Sequence, residues 1–412
     1  MRGHGRVELG AVIGWDLIKD LSPTVLRLMA ARLARSIAQG ALVVDFALYA
    51  RQLGWSPTRL GLVFAIAIGF SVVLTAGIGP ASDRFGRRRF LLVYEILSMG
   101  TAIIALNSRA FLPLAVAAII GGFGRGANGA AGPFAPAEQS WISSLIAPKQ
   151  LGALLSLNAS LGFFGMAVGA VLAGLIGPVQ AMFLLPLGAA LAAFSLLWLS
   201  ADPQRRVEIF TGQAQIAEDA TVRVERGLLW RLAGLNLLNG AGIGMVGPFM
   251  SWWFATRFAV GAGAIGPSFA AGFIAAGSAS LVAGRLTRRY GTVRTVVVMR
   301  GLGLVSLLAL PFMPNFAAAV LLYTLRSALN RGTAGARQAV ALGLVRGKRR
   351  GLAASINTLS MMAPRGIAPA FAGALFAEGA LVAPFLIAGL FQGAYLVLYP
   401  LAFSNHDQSR PS

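Results

Sequence analysis

Cysteine is absent from the 412-residue chain, so disulfide frameworks, thiolate metal sites and thiol nucleophiles are excluded. Histidine occurs only as His4 and His406, near the two ends. Haem, zinc and histidine-based catalysis therefore find neither ligand nor base in the body of the chain. Charge is sparse as well. Charged residues make up 12% of the chain, where a soluble domain carries roughly 25%, so the usual water-facing surface cannot be built. Acids are rarer still, with 14 Asp and Glu against 35 Lys and Arg.

What is abundant is apolar. Hydrophobic residues form 57% of the sequence, the mean hydropathy is +0.72, and they come in long runs, which marks a membrane protein. The formal net charge of +21 would suggest a nucleic-acid partner in a soluble protein. Here the charges flank apolar runs and read as membrane topology, so a lipid bilayer is expected and nucleic acid is not. No nucleophile–base pair, metal set or phosphate loop accompanies them. The stretch "GAGAIG" at 261–266 lies between apolar runs rather than at a strand–helix junction. No enzyme activity, metal or cofactor is expected.

Apolar runs of about the roughly 20 residues that cross a bilayer fall at 28–50, 60–81, 90–108, 111–134, 152–177 and 180–199. They resume at 231–254, 264–284, 293–313, 316–337, 352–376 and 381–402. Twelve transmembrane helices in two groups of six follow. With both termini on the inner side, the inner loops carry most of the arginines, including Arg84, Arg87, Arg88, Arg89, Arg205, Arg206, Arg288, Arg289, Arg349 and Arg350, whereas the outer loops carry only Arg51, Arg59, Arg109 and Arg257. The positive-inside rule then places both termini in the cytoplasm of an inner-membrane protein.

The first 27 residues read as a cytoplasmic segment. Their "VELGAVIGWDLIKDL" is broken by Asp16, Lys19 and Asp20, which suits a short surface helix better than a cleavable signal. A six-helix bundle is expected over 28–200, a cytoplasmic linker over 201–227, a second bundle over 228–402 and a tail over 403–412.

The halves repeat. Gly79, Arg84, Gly86 and Arg89 in "GPASDRFGRRR" match Gly284, Arg289, Gly291 and Arg294 in "GRLTRRYGTVR" at one constant spacing. "GALLSLN" (152–158) matches "GLAASIN" (351–357), "AEQ" (137–139) matches "ARQ" (336–338) at that second spacing, and "RGANG" (125–129) matches "RGTAG" (331–335). Matches in order, at corresponding places, indicate a parallel duplication. Asp83 has become Arg288 and Glu138 has become Arg337, so the copies are not electrostatically equivalent.

The loop built on Gly79, Asp83, Arg84, Gly86, Arg87 and Arg88 resembles the signature loop of the major facilitator superfamily. The run from Arg125 through Asn128 and Gly129 to Gly132 resembles that superfamily's second motif. The likeness covers the whole chain: six plus six helices and a central linker. It implies an all-α transporter fold of two bundles related by a pseudo-twofold axis. It also implies that the arginine-rich loop latches the cytoplasmic side when the protein faces outward. The fifth span, "NASLGFFGMAVGAVLAG", lacks the Gly-Pro pair of the superfamily's antiporter motif. Glu138, at the inner end of the fourth span, is the natural partner for Arg84 or Arg87.

Seven arginines fall inside expected spans, clear of the two residues at either end: Arg32, Arg35, Arg125, Arg300, Arg326, Arg331 and Arg365. Facing lipid, each costs roughly 2.5–3.5 kcal/mol and the set on the order of 20 kcal/mol, beyond the stability of a typical fold. Arg32 and Arg300, near the inner ends, are expected to snorkel; most of the others must face a cavity, a partner or an interface, and for Arg125 and Arg331 a structural role bracing helix–helix contacts stays open. Helical spacing puts Arg125 with Asn128, Arg326 with Asn330, Asn236 with Asn239, and Arg35 with Gln39 on common faces of spans one, four, seven and ten. By resemblance these helices line the cavity.

Asp45 and Glu95 are the only acids within expected spans. Glu95 can join the loop cluster. Asp45 is the candidate for proton coupling, because a carboxyl that alternates between apolar and arginine-lined surroundings exchanges its proton. Pro364 and Pro369 flank Arg365 in span eleven, and "NGAGIGMVGP" (239–248) weakens span seven; both mark breaks of the kind that line a cavity.

The expectation is a monomeric secondary transporter of a small polar or anionic solute, with protons as co-substrate. Two alternatives stay open. One is a multidrug-type efflux carrier that uses aromatics such as Trp252 and Trp253. The other is a non-transporting sensor or scaffold derived from a transporter.

Overall fold

The computed structural model describes residues 21–123, 132, 135–146, 148–200, 219–334, 337 and 350–403. Fourteen helices account for nearly all of them. In the first half these are α1 (Pro23–Gln52), α2 (Pro57–Phe85), α3 (Arg87–Asn107), α4 (Phe111–Gly121), α5 (Ala135–Leu145), α6 (Pro148–Ile176) and α7 (Leu184–Trp198). In the second they are α8 (Asp219–Val246), α9 (Met250–Phe258), α10 (Ala262–Tyr290), α11 (Thr292–Ala309), α12 (Phe316–Gly332), α13 (Arg350–Ala377) and α14 (Ala383–Phe403). Nine helical segments among the described residues are long and apolar enough to cross a membrane. Helices α4, α12 and α13 stand where the fourth, tenth and eleventh spans are expected.

Local chemistry sets several ends. Pro23 occupies the first turn of α1, where its missing N–H costs nothing, and Ser22 Oγ accepts from Val25 N at 3.4 Å. Asn315 Oδ1 caps α12 by accepting from Ala318 N at 2.9 Å. The seventh span breaks where expected: α8 stops at Val246, a 3-10 turn carrying Pro248 spans Gly247–Phe249, and α9 continues. The eleventh does not break. Helix α13 runs on with Pro364 and Pro369 inside it. Helix α8 begins at Asp219, inside the stretch expected to be linker, so its first turns carry polar residues ahead of the apolar run.

The repeat read from the sequence is present in the packing. In the first half α1 packs on α6 and α7, α3 on α7 and α4, and α2 on α4. In the second half α8 packs on α13 and α14, α11 on α14 and α12, and α10 on α12. These are the same pairings displaced by six spans. The links between α2 and α3 and between α10 and α11 are single glycines with positive φ, 101° at Gly86 and 85° at Gly291. A side chain is strained in that region.

The halves meet along α2 with α13 and along α6 with α10, two contacts that a twofold axis exchanges. Both are built on small residues that bring backbones close. A Cβ on Gly61 would lie 2.4 Å from the Pro369 carbonyl oxygen, and one on Gly373 would lie 2.4 Å from that of Pro57. At the other interface a Cβ on Gly266 would lie 2.4 Å from the Ala170 carbonyl oxygen.

The two ends of the molecule differ. At the end away from the arginine-rich loops one apolar core spans both halves, with Phe46, Phe64, Phe123 and Phe183 joined to Phe249, Trp252 and Phe376. Phe64 and Phe249 touch across the halves, ring centroids 5.6 Å apart. At the arginine-rich end the cores are separate. Leu28, Leu91 and Trp141 belong to one, entirely within the first half, and Leu232, Val296 and Tyr395 to another, entirely within the second. Among the described residues the halves thus share one core, a seal, at the arginine-poor end and have separate cores at the arginine-rich end. Exposed apolar side chains such as Val73, Leu175, Leu321 and Leu401 form the lipid-facing surface.

Gly373→Leu is expected to push α2 from α13 and open the sealed end. The chain has no cysteine, so a spin-label pair at single introduced cysteines across that end reports the change directly. The pair distance should lengthen by several ångströms in Gly373→Leu and stay fixed in Gly69→Ala, where a Cβ meets open space.

Candidate functional site

The first half encloses a closed charge network near the arginine-rich end. Arg35 on α1 donates from Nη1 to Glu95 Oε1 on α3 at 3.1 Å, and from Nη2 to Glu138 Oε2 on α5. Arg32, one turn earlier, donates to Glu138 Oε1 at 3.2 Å, and Asn158 Nδ2 on α6 approaches the same oxygen at 3.4 Å. Glu95 is fully buried, Glu138 is 3% exposed and Arg32 is 6% exposed. Two guanidinium groups here face two carboxylates, and four helices converge on them. Pairs this dry hold only because each charge is both matched and hydrogen-bonded.

Two expectations are corrected by this network. Arg32 does not snorkel; it is buried against Glu138. The described partners of Glu138 are Arg32, Arg35 and Asn158, on the face of α5 turned toward α1 and α6, and the expected partner Arg84 has its side chain outside the described residues. Glu95 does not join the loop cluster; it turns inward to Arg35.

The corresponding place in the second half has the same backbone and a different charge. Gly40 of α1 abuts Met166 of α6, and Gly244 of α8 abuts Arg365 of α13. Arg35 precedes Gly40 by five residues as Asn239 precedes Gly244, and Arg32 precedes it by eight as Asn236 does. Glu95 follows the positive-φ Gly86 by nine residues, as Arg300 follows Gly291. Glu138 and Arg337 are the centres of "AEQ" and "ARQ". The contacts correspond too. Where Arg35 meets Glu95, Arg300 Nη2 donates to Asn239 Oδ1 at 2.5 Å. Where α1 is tied to α6 through Glu138 and Asn158, Asn236 Nδ2 donates to Asn357 Oδ1 at 3.0 Å and Ser360 Oγ at 3.1 Å, tying α8 to α13.

Arg300 was expected to snorkel and is instead 2% exposed. Its guanidinium lies over the Tyr395 ring at 4.7 Å, an arrangement that offsets part of the desolvation. Asn236 and Asn239, expected to line a cavity, spend their amides on contacts within the second half, Asn239 Nδ2 also reaching Met361 Sδ at 3.7 Å.

Around Arg300 lie further arginines. It is within Coulombic reach of Arg337 and Arg326, Arg326 of Arg331, and Arg365 of Arg337 and Arg331. At an effective dielectric of about 20, like charges about 8 Å apart repel by ~2 kcal/mol. Arg331 finds Ser327 Oγ at 3.3 Å and the Phe273 and Tyr323 rings at 5.2 and 6.0 Å. Arg326, Arg331, Arg337 and Arg365 are half-buried. Asn330 Oδ1, one turn from Arg326, has no hydrogen-bond partner among the described residues.

The remaining candidates scatter. Gln39 is half-buried one turn beyond Arg35, and its Nε2 has no described partner. Asp45 is fully buried within the apolar core of the sealed end, and neither carboxyl oxygen has a described partner. No arginine forms an ion pair with it among the described residues. Arg88 caps the end of α7, donating from Nε to Leu197 O at 3.3 Å and from Nη2 to Trp198 O at 2.5 Å. Arg27 reaches Leu199 O beside it. Arg87 is half-buried. Arg125, Asn128 and Gly129 lie outside the described residues, as do the side chains of Asp83 and Arg84; the α2 backbone carries Gly79, Asp83 and Arg84. The Arg300–Arg337 pairing was missed as a site, though the repeat contained the signal. Applying the Gly86–Gly291 spacing to Glu95 lands on Arg300.

Two repeated helical units, joined at two exchanged interfaces and holding buried charge between apolar walls, define a multi-pass membrane protein of the transporter type. The family model described as Major Facilitator Superfamily matches residues 28–231 and again 232–412. The chain belongs to the major facilitator superfamily. The fold is similar to that of the nucleoside transporter NupG, with a TM-score of 0.72 at 12% identity over 92% of this chain and 100% of that one. A D-xylose–proton symporter matches with a TM-score of 0.72 at 14% identity over 94% and 99%. A bacterial homolog of the human lysosomal transporter Spinster, in an inward-facing and unoccupied conformation, matches with a TM-score of 0.70 at 15% identity over 94% and 98%. No curated protein matches the sequence.

Removing one partner of a buried pair strands the other, at a cost of about 3–5 kcal/mol. Arg35→Met is therefore expected to lower the melting temperature in detergent sharply. Adding Glu95→Leu should recover most of the loss, because Arg32 and Glu138 still match. A double variant no more stable than the single one would show that the four groups do not act as one balanced set.

Proposed function

We propose that the protein is a proton-coupled secondary transporter of the cytoplasmic membrane that moves a small polar or anionic solute by alternating access. One observation carries the reading: a single apolar core joins the halves at one end, and separate cores leave them divided at the other. The dividing end bears the arginine-rich loops, which the positive-inside rule assigns to the cytoplasm together with both termini. The described state is then inward-facing. Rocking about the two glycine-lined interfaces would part the joint core and bring the arginine-rich ends together, a rigid-body change of the kind that switches access.

In that outward-facing state the loop of Gly79, Asp83, Arg84, Gly86, Arg87 and Arg88 serves as the cytoplasmic latch. Its Gly86 turn and the Arg88 cap on α7 hold it in place in the state described. Solute binds between the halves, facing Gln39 on one side and Arg326, Asn330 and Arg365 on the other. Protons couple through Asp45. That carboxyl is dry in the sealed core and would meet water once the sealed end opens. A change of surroundings of this size changes proton affinity, which is the requirement for coupling.

Trp252 and Trp253 belong to the seal, Trp253 donating to the Leu381 carbonyl at 3.0 Å. The efflux-carrier alternative therefore lacks the aromatic binding face that favoured it.

Proteoliposomes with and without an imposed pH gradient test the reading. The wild-type chain should accumulate solute only with the gradient. Asp45→Asn should lose at least tenfold in gradient-driven accumulation and keep solute counterflow. Undiminished accumulation in Asp45→Asn would remove Asp45 from the coupling step.

A further inference from the structure

The twofold relation between the halves preserves geometry and exchanges charge. Arg32, Arg35, Glu95 and Glu138 are answered by Asn236, Asn239, Arg300 and Arg337. In the first half two guanidinium groups meet two carboxylates. In the second, Arg300 meets the neutral amide of Asn239, Arg337 meets Met361 Sδ, and Asn236 spends its amide on Asn357 and Ser360. The first network balances its charges within its own half, although Glu95 Oε2 and the Nε atoms of Arg32 and Arg35 have no described hydrogen-bond partner; the second sets its guanidinium groups against no counter-charge among the described residues.

From Leu228 to Phe403 the sequence contains one acid, Glu378, and it is exposed just beyond the end of α13 at the sealed side. The other acids of α8, Asp219 and Glu225, precede Asn236 by eleven residues or more. Glu95 and Glu138 of the first half are held by Arg32 and Arg35. Arg300 is 2% exposed, and its Nη1 has no hydrogen-bond partner among the described residues. Among the described residues Arg337 reaches the weak acceptor Met361 Sδ, at 3.8 Å, and its Nε has no hydrogen-bond partner there. Arg365 lies within Coulombic reach of Arg337 and is half-buried beside it. A buried donor that the fold leaves unmatched is costly, and here the unmatched donors are all cationic.

We propose that Arg300 and Arg337, with Arg365 beside them, bind a dianionic oxyanion group of the transported solute, either a phosphate monoester or a dicarboxylate. The solute brings to the second half the negative charge that Glu95 and Glu138 bring to the first. Guanidinium groups suit this role because each offers paired N–H donors to two oxygens at once. The divided arginine-rich end provides the route in. The assignment rests on the transporter reading for the word solute, but the site itself does not depend on transport.

Thermal melting of the full-length protein in detergent tests it. Inorganic phosphate, glycerol 3-phosphate and succinate are each compared with chloride at matched ionic strength. At least one dianion should raise the melting temperature above the chloride control, as a ligand of the folded state must. Which one does so separates the phosphate and carboxylate sources. The affinity derived from the shift should weaken at least tenfold in Arg337→Gln. It should weaken as much in Asn239→Arg/Arg300→Glu, which copies the first half's arrangement and leaves no charge unmatched at that contact. Arg257→Gln, which removes an equal charge at the opposite end, should keep the shift.

The proposal is overturned by a shift no larger than that of chloride, by a shift that survives Arg337→Gln, or by stabilisation from phosphatidylglycerol alone. A dianion that binds while proteoliposomes move no solute would sink the transporter reading and leave the site standing. Solute transport indifferent to dianions and to Arg337→Gln would do the reverse.

Discussion

Charge inside an apolar bundle must be matched, and this requirement organises the molecule. A guanidinium or carboxylate taken out of water gives up a hydration energy that helix packing cannot replace. Each buried charge therefore needs a counter-charge, an oriented dipole or a bound ion. In the first half the chain supplies its own: Arg32 and Arg35 converge with Glu95 and Glu138 from separate helices. That convergence fixes how α1, α3, α5 and α6 sit at the arginine-rich end, where the apolar core of this half is small and separate. In the second half the same positions carry arginine and asparagine, and amides and an aromatic ring give partial compensation. The four-residue network of the first half is balanced in charge, and its counterpart in the second half is not.

Duplication explains how such an asymmetry can arise without disturbing the fold. The pairings of α1, α2, α3, α4, α6 and α7 recur among α8, α10, α11, α12, α13 and α14, and the tight links at Gly86 and Gly291 have the same backbone conformation. These features depend on small side chains and apolar faces, which the repeat has kept. The polar positions are free to diverge as long as each half remains separately packable. A transporter gains from that freedom. Under the proposed transport cycle one bundle would serve as a charge-balanced scaffold while the other keeps cations in reserve for a solute, and the two would move against each other along glycine-lined faces that present little to interlock.

Much of the candidate site could be read from residue order, and its failures share a cause. The loop motif, the repeat and the scarcity of acids were all legible before any coordinates. Arg32 and Arg300 were misjudged because depth along a helix was taken to decide their fate. Their azimuth decided it instead, since both turn toward neighbouring helices, and a guanidinium aimed at Glu138 or Asn239 has no reason to reach for the interface. Glu138 was read only as a partner of the loop next to it, and its contact with α1 went unseen. Pro364 and Pro369 were expected to break α13. Instead the helix continues, with Pro364 against Gly240 and the Pro369 carbonyl against Gly61, so close packing on neighbouring helices holds it.

Residue order alone determined that this chain is a membrane protein with its helices in two related sets, because hydropathy and spacing are local and survive any arrangement of the helices. It also determined that the charges within those helices must be few and costly. Which charge meets which was decided only by tertiary structure, because helices distant in sequence must be brought side by side before a carboxylate has a partner. The same holds for the sealed end. The apolar residues of both halves were visible in the chain, but whether they form one core or two depends on how the bundles lean, and that is a property of the assembled molecule.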